Sequence, residues 1–238
     1  MPTDLLNQLM IAARPFYTTN DPAHDWSHIC RALCYAQTIA QAEKADWETV
    51  SAAVLFHDCV KLRERIGQKD LSSTQSATMA AEILSGIEDF PKGKIEAVKK
   101  CIYEHTFSLG IKPDLLESKV MQDADRLDST GTIAIMRIFA HCGILGGTLF
   151  SWDDPLCEEG RPPDKLSFGL DWAAARLLKV SATLNTKAAR RIARRLDKNL
   201  RSILSMARGE IKKFPANKLQ GWIEAGDSLH SQRKKGAA

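Results

Sequence analysis

Apolar residues recur at helical spacing along most of the 238-residue chain. The clearest case runs from Trp26 to Ala40, with Ile29, Leu33 and Ala36 at intervals of three or four positions. Residues spaced in this way lie on one face of an α-helix, whereas a half-buried strand alternates apolar and polar residues. No stretch of the sequence shows a sustained alternation, so the pattern predicts an all-α fold.

Capping residues and helix breakers divide this pattern into separate helices. Asn20, Asp21 and Pro22 predict the start of the first long helix, because Asn and Asp cap helix N-termini and proline suits the first turn. Asp46 predicts the start of a short apolar helix that ends near Asp58.

Further along the chain, Ser72 and Gln75 predict a capping box for a helix that runs to about Ser85. Pro91 opens the next helical pattern, and Pro113 separates that pattern from the one after it. The middle of the chain is therefore predicted to consist of several short to medium helices joined by tight turns.

The C-terminal part of the sequence combines a long loop with further helices. Residues 151–167 include three prolines, and we predict a loop there that is long enough to cover an active site. The pattern is helical again from Asp171 to about Lys212. We expect one domain over residues 1–215 and a partly disordered tail over residues 216–238.

Composition narrows the class of protein without identifying a partner. Hydrophobic residues make up 44% of the chain, enough for one sizeable core, and the formal net charge is +4. This mild positive charge suits an anionic substrate but does not by itself favour nucleic acid. The sequence shows no apolar run of membrane-spanning length, no signal peptide and no CxxC pair among its six cysteines. We therefore expect a cytoplasmic protein with reduced thiols and no membrane contact.

Several residues of the sequence are of the types that bind metal ions. His57 and Asp58 follow an apolar run, and burying an unpaired ionisable group there would be costly unless a partner such as a metal ion is present. His28 lies on the predicted helix upstream. Asp125 and Asp128 share one face of a helix downstream, and a neighbouring aspartate at position 123 points elsewhere.

These residues, in this order, resemble the HD superfamily of metal-dependent phosphohydrolases, which is named for its His-Asp pair. The string HDCVK at residues 57–61 is similar to the family's frequent His-Asp-aliphatic-Gly-Lys, and QDADRLD at 122–128 is similar to its last-ligand motif. The match extends through DWSH at 25–28 and EHTFS at 104–108. It covers about residues 15–185 and is most similar to small stand-alone bacterial members, some of which act on nucleotides.

The resemblance implies an all-α HD-domain helical bundle with a C-terminal helical extension. It also implies one divalent metal ion (Mn, Fe, Co, Ni, Zn or Mg) bound by His28, His57, Asp58 and Asp125. The activity implied is hydrolysis of a small phosphorylated substrate of the nucleotide type. Two alternatives stay open, a ligand-sensing HD module without turnover and a nucleic-acid-directed hydrolase.

Further residues are candidates for binding substrate. Arg31 and Lys61 each lie three positions after a predicted ligand and are candidates for contacting phosphate. Arg126 lies beside the last ligand, and we expect either a substrate contact or a structural ion pair from it. His24 and Asp25 are candidates for orienting the first ligand.

The proton-transfer residue does not follow from the resemblance. Some nucleotidases of the superfamily carry a glutamate where this sequence has Lys61, so that residue has no counterpart here. Glu64, Asp123, Asp128 and His105 are the remaining candidates, and the sequence does not rank them. His105 is also the only histidine between the His-Asp pair and Asp125, which favours one metal ion over two. His141 and His230 have no motif around them, and we expect no chemical role.

Residues 187–201 carry seven basic side chains and one acid around an apolar stripe. This pattern is typical of an amphipathic helix that packs on the domain and exposes a solvated basic face. A nucleic-acid surface is the alternative, but no aromatic residue interrupts the basic run to stack on bases. We therefore expect no nucleic-acid partner, and the oligomeric state stays open.

Overall fold

The computed structural model describes residues 3–18, 23–60, 71–106 and 110–214. Within these ranges the chain is a bundle of α-helices, and strand-like pairing is limited to one isolated bridge between Thr148 and Phe168. The all-α prediction is confirmed. The α-helices are α1 (Thr3–Ala13), α2 (Trp26–Glu43), α3 (Trp47–Phe56), α4 (Leu71–Gly86), α5 (Ile95–Glu104), α6 (Leu116–Leu127), α7 (Gly131–Ile144), α8 (Gly169–Trp172), α9 (Leu178–Val180) and α10 (Lys187–Ile211).

Helix α3 lies at the centre of the main hydrophobic core. Every residue from Thr49 to Phe56 is buried, and α1, α2, α4, α5 and α6 all pack against this helix. The predicted cap is confirmed, because the Asp46 side chain accepts a hydrogen bond from the backbone N–H of Thr49. The helix ends at Phe56, so that His57 is the first residue beyond it and is buried by the surrounding helices.

Helices α2 and α4 do not begin at the residues that the sequence predicts. The N-cap of α2 is Asp25, whose carboxylate accepts a hydrogen bond from the His28 N–H at 3.0 Å. The caps predicted at residues 20–22 lie outside the described residues. Helix α4 already includes Leu71, which places Ser72 inside the helix rather than at its N-cap.

The helical stretch predicted for the last part of the chain is wrong at residues 184–186, where the chain leaves the helical conformation before α10 begins. The backbone N–H groups of Asn185 and Thr186 both donate to the buried carboxylate of Asp123, each at 2.7 Å. A carboxylate with no access to water requires such donors, and their bonds hold this segment extended. Short helical turns of other types, at Ala173–Leu177 and Ser181–Thr183, precede the break.

The loop predicted at residues 151–167 is confirmed as non-helical. It is held by Arg161, whose guanidinium donates to both carboxylate oxygens of the buried Asp171. The ring of Trp152 contacts the ring of Phe214 just beyond α10, at a centroid distance of 6.1 Å. These contacts set the loop against α8 and the C-terminal part of α10, and its role as an active-site cover stays a prediction.

Helix α10 is amphipathic, as the sequence predicts. Ala189, Ala193 and Leu200 are buried where α10 packs on α2, α6 and α7, and its basic side chains are mostly exposed. The predicted disordered tail lies outside the described residues. Among the helices that the structure describes, none combines the length and apolar character required to cross a membrane.

Candidate metal centre

His57 occupies the position where buried α3 ends. Its Nδ1 donates to the backbone carbonyl oxygen of Val54, one turn back, at 2.8 Å. The side chain is about 1% exposed, and burial lowers the pKa of His57 to about 4. The imidazole is therefore neutral near pH 7, with its proton on Nδ1, and its Nε2 lone pair is available for a metal ion.

His28 is held in the same manner from the opposite side of the site. Its Nδ1 donates to a carboxylate oxygen of Asp128 at 2.7 Å, which leaves Nε2 facing the rings and carboxylates of the site. The ring of His28 lies 5.6 Å from the ring of His57 in an edge-to-face arrangement. A carboxylate behind a ligating imidazole is the arrangement that orients histidine ligands in many metal sites.

Asp125 on α6 brings a carboxylate to these two imidazoles. One of its oxygens lies 3.5 Å from Nε2 of His28 and 3.9 Å from Nε2 of His57. Burial would raise the pKa of Asp125, but the nearby imidazoles of His57, His28 and His105 outweigh it, and the pKa is lowered. Asp125 is therefore ionised near pH 7.

Asp58 and His105 extend the cluster on its other side. The two oxygens of Asp58 lie 3.8 Å from Nε2 of His57 and 3.6 Å from Nε2 of His105. His105 follows the end of α5, and its Nδ1 donates to the carbonyl oxygen of Ile102. Burial would lower the pKa of His105, but its hydrogen bond with Asp58 and the Asp58 charge outweigh that effect and raise it.

These residues fit a divalent metal ion. His28, His57 and Asp125 offer ligand atoms within 4.8 Å of one another, as do His57, Asp58 and His105. A metal with ligands at about 2.1 Å keeps neighbouring ligand atoms about 3–3.5 Å apart, close to the separations found here. All three imidazoles present Nε2 because each Nδ1 is bound to an acceptor. Imidazole and carboxylate together suit Mn, Fe, Co, Ni or Zn.

Two other predicted residues, Asp128 and Arg31, lie behind the proposed ligand His28 rather than beside the metal position. Asp128 is buried and accepts from His28, from Arg31 and from Arg137, so its contacts favour orienting a ligand over transferring a proton. Arg31 donates to Asp128 through Nε and Nη2 and to Ser27 through Nη1. Its guanidinium is therefore one residue away from the first ligand.

The remaining predicted residues lie elsewhere or are not described. Asp123 is completely buried, and the bonds from Asn185 and Thr186 occupy both of its oxygens, which favours a structural role. Arg126 is buried and donates to the carbonyl oxygen of Thr183. Lys61 and Glu64, one predicted for phosphate and the other for proton transfer, lie outside the described residues.

One residue at the site was not predicted. Arg137 on α7 donates to both the backbone and the side-chain oxygens of Asp128, each at 2.7 Å, and also to the carbonyl oxygen of Ala23. It thus fixes the segment ahead of α2 to the end of α6. The signal in the sequence is a single arginine within the apolar run of α7, where an unpaired charge would be costly.

The comparison with known proteins agrees with this geometry. Residues 25–130, which include every proposed ligand, match the family model described as the HD domain. A solved structure from an uncultured Thermotogales bacterium, described as that of a predicted HD superfamily hydrolase, is 25% identical, with a TM-score of 0.55 over 86% of this chain and 92% of that chain. Residues 25–130 match the HD domain, and together these findings support an HD-superfamily protein.

Two further proteins show how far the similarity extends beyond the HD-domain match. The uncharacterized protein YpgQ of Bacillus subtilis is 29% identical over 149 residues, 60% of this chain and 69% of that protein. Its crystal structure in complex with ADP is 26% identical, with a TM-score of 0.64 over 89% of this chain and 96% of that chain. A Lactobacillus plantarum structure, at 19% identity and a TM-score of 0.70 over 90% of this chain and all of that chain, shares the fold.

Proposed function

We propose that this chain is a metal-dependent phosphohydrolase acting on a small phosphorylated substrate of the nucleotide class. The observation that carries the proposal is the convergence of three imidazole Nε2 atoms on two carboxylates, with every Nδ1 held by an acceptor. His28, His57, Asp58 and Asp125 would hold the metal ion. A bound divalent ion would lower the pKa of a water molecule and offset the charge that builds up on phosphorus.

The exposure of the ligands indicates the side from which a substrate reaches the site. The side chains of His28 and His57 are only 1–2% exposed, whereas those of Asp58 and Asp125 are 26% and 24% exposed. A phosphoryl group therefore approaches over the two carboxylates. Because these carboxylates cancel the charge of a divalent ion, further positive groups are required to bind an anionic substrate.

His105 and Arg31 are the described residues that fit this requirement. Nε2 of His105 lies beside Asp58, and we assign it to a hydrogen bond with a phosphoryl oxygen rather than to the metal. Arg31 keeps N–H groups beyond the three that bind Asp128 and Ser27, and its side chain is 30% exposed. A charge-assisted contact from either group would strengthen as charge develops on the phosphoryl oxygens.

The nucleotide class is supported by similarity. YpgQ, which is 26% identical in structural comparison, crystallises in complex with ADP. The net charge of +4 is compatible with an anionic substrate of this kind.

A metabolite screen tests the proposal directly. The full chain would be incubated with nucleoside mono-, di- and triphosphates and sugar phosphates, with Mn²⁺, Co²⁺, Ni²⁺, Zn²⁺ and Mg²⁺ added separately, and phosphate release measured. We expect turnover that depends on the metal and is lost in Asp125→Ala. Absence of turnover for every compound, in protein shown to contain metal, would contradict the proposal and favour a ligand-sensing module.

A further inference from the structure

A second cluster of cationic and aromatic side chains lies behind the metal centre, around a cavity of about 80 Å³. Four segments build it: the turn ahead of α2, the turn between α6 and α7, helix α7, and the helical turns from α8 onward. The residues that line its polar side are His24, Ser129, Arg137, His141, Trp172 and Arg176. Arg137 and His141 lie one helical turn apart on α7, as do Trp172 and Arg176 on their segment, so each pair projects from one face.

His141 holds a central place in this cluster. Its ring lies 5.6 Å from the ring of His24 and 5.4 Å from the ring of Trp172, and both contacts are close to perpendicular, at 83° and 79°. The edge-to-face contacts fix the ring between two segments that are distant in sequence. His141 therefore has a defined position at the cavity, although its sequence context predicts no role.

The lining favours an anion. Arg137, Arg176, His24 and His141 line the cavity, and among the residues that line it in the described part of the chain there is no carboxylate. Arg137 already donates to Asp128 and Ala23, so the charge for a bound anion comes mainly from Arg176. A water molecule needs about 10–15 Å³ on this measure, so a cavity of about 80 Å³ accommodates a tetrahedral oxyanion. Guanidinium groups provide several N–H donors in a geometry that matches phosphate oxygens.

We propose that this cavity is a second anion-binding site, which takes a phosphate group. Arg176 supplies charge from the open side, since it is exposed, and His24 and His141 supply N–H donors from the walls. The side chains of Ile138 and Leu177 close the apolar side of the cavity. The phosphate is either a distal group of the substrate hydrolysed at the metal centre or a separate phosphorylated effector.

One carboxylate connects this cavity to the metal centre. The Oδ2 atom of Asp128 accepts from Nδ1 of His28 and from Nη1 of Arg137, each at 2.7 Å. Arg137 lines the cavity and His28 is a proposed metal ligand, so one residue separates the two sites. An anion that draws on Arg137 would therefore alter the group that orients His28.

Phosphate binding that does not depend on the metal tests the proposal. Isothermal titration calorimetry with inorganic phosphate would be carried out on the full-length Asp125→Ala chain, in which the metal site is disabled. We expect one phosphate per chain, and binding at least tenfold weaker when Arg176→Gln or His141→Gln is added. Arg191→Gln on exposed α10 removes the same charge as Arg176→Gln and should leave the affinity unchanged. If Asp125→Ala does not fold, wild-type protein treated with EDTA replaces it.

The proposal is overturned if neither metal-site-disabled protein binds phosphate, or if Arg176→Gln and Arg191→Gln affect binding equally. Because this measurement requires no turnover, its failure is distinct from failure of the proposed hydrolase activity. Steady-state kinetics then separate the two sources of phosphate. A distal substrate group predicts that Arg176→Gln raises KM for ADP more than for AMP and that phosphate competes with ADP. A separate effector predicts that phosphate changes kcat without competing.

Discussion

Replacing Asp128 by asparagine removes the charge behind the first metal ligand while keeping the shape of the side chain. Asp128 is 1% exposed and is shared by three partners: Nδ1 of His28, the guanidinium of Arg31 and that of Arg137. Asparagine offers one acceptor oxygen instead of two and carries no charge. Two guanidinium groups, 30% and 13% exposed, thereby lose their carboxylate.

Two separate losses are expected from Asp128→Asn. Replacing the charged acceptor behind a ligating imidazole by a neutral one weakens metal affinity about 10- to 100-fold, or about 1.4–2.7 kcal/mol. Breaking a buried ion pair by removing one partner costs about 3–5 kcal/mol of folding free energy. We expect the lower end, about 3 kcal/mol, because Arg31 and Arg137 keep some contact with solvent.

Asp123→Asn is the matched control. It lies on the same helix, is equally buried, and its carboxylate is also fully hydrogen-bonded, but to Asn185 and Thr186 instead of to a ligand. Metal affinity would be measured by chelator competition and stability by urea unfolding of both variants. We expect both to lose stability and only Asp128→Asn to lose metal affinity. Equal metal affinity in the two variants would refute the orienting role of Asp128.

Three other outcomes follow from the structure. Asp125→Ala should lose bound metal and nearly all activity while remaining folded, and metal analysis that finds full occupancy would exclude the proposed ligand set. Replacing Arg191, Arg194 and Arg195 by glutamate should leave nucleotide turnover within a few-fold of wild type, because these side chains are exposed on α10. Circular dichroism would check that the variant is folded. Asp46→Ala should lower stability by about 1 kcal/mol near pH 7, because alanine cannot accept the capping hydrogen bond from Thr49. The folded pKa of Asp46 is lowered, so its contribution is present above the unfolded pKa, and the difference measured by unfolding should shrink as pH falls through the folded pKa.

Local sequence signals predict the parts of the fold that depend on local contacts. The α3 cap at Asp46 and the apolar run up to His57 place the His-Asp pair at the end of a buried helix, as the structure shows. The spacing of Asp125 and Asp128 also predicts that both lie on one face of α6, and both interact with His28. Helical periodicity and capping are sufficient for these features because they involve neighbours within about one turn.

Features that depend on distant residues are not predicted by the sequence. The break before α10 results from hydrogen bonds between Asp123 and a segment more than sixty positions later. The approach of His105 to Asp58 requires α5 to pack beside α3, and the bond from Arg137 to the carbonyl oxygen of Ala23 joins residues 114 positions apart. In each case a polar group is visible in the sequence, but its partner is set by helix packing.

Hydrogen bonding distinguishes Asp125, the proposed metal ligand, from its neighbours Asp123 and Asp128 at the end of α6. Asp123 is satisfied by N–H and O–H donors, and Asp128 by two guanidinium groups and an imidazole. Asp125, placed between them, has a side chain that is 24% exposed, and one of its oxygens lies 3.5 Å from Nε2 of His28 and 3.9 Å from Nε2 of His57. A divalent cation bound between this carboxylate and the two imidazole nitrogens would be a partner for all three groups. Hydrogen bonds to other groups thus account for Asp123 and Asp128, and Asp125 is the aspartate of this segment that we propose as a metal ligand.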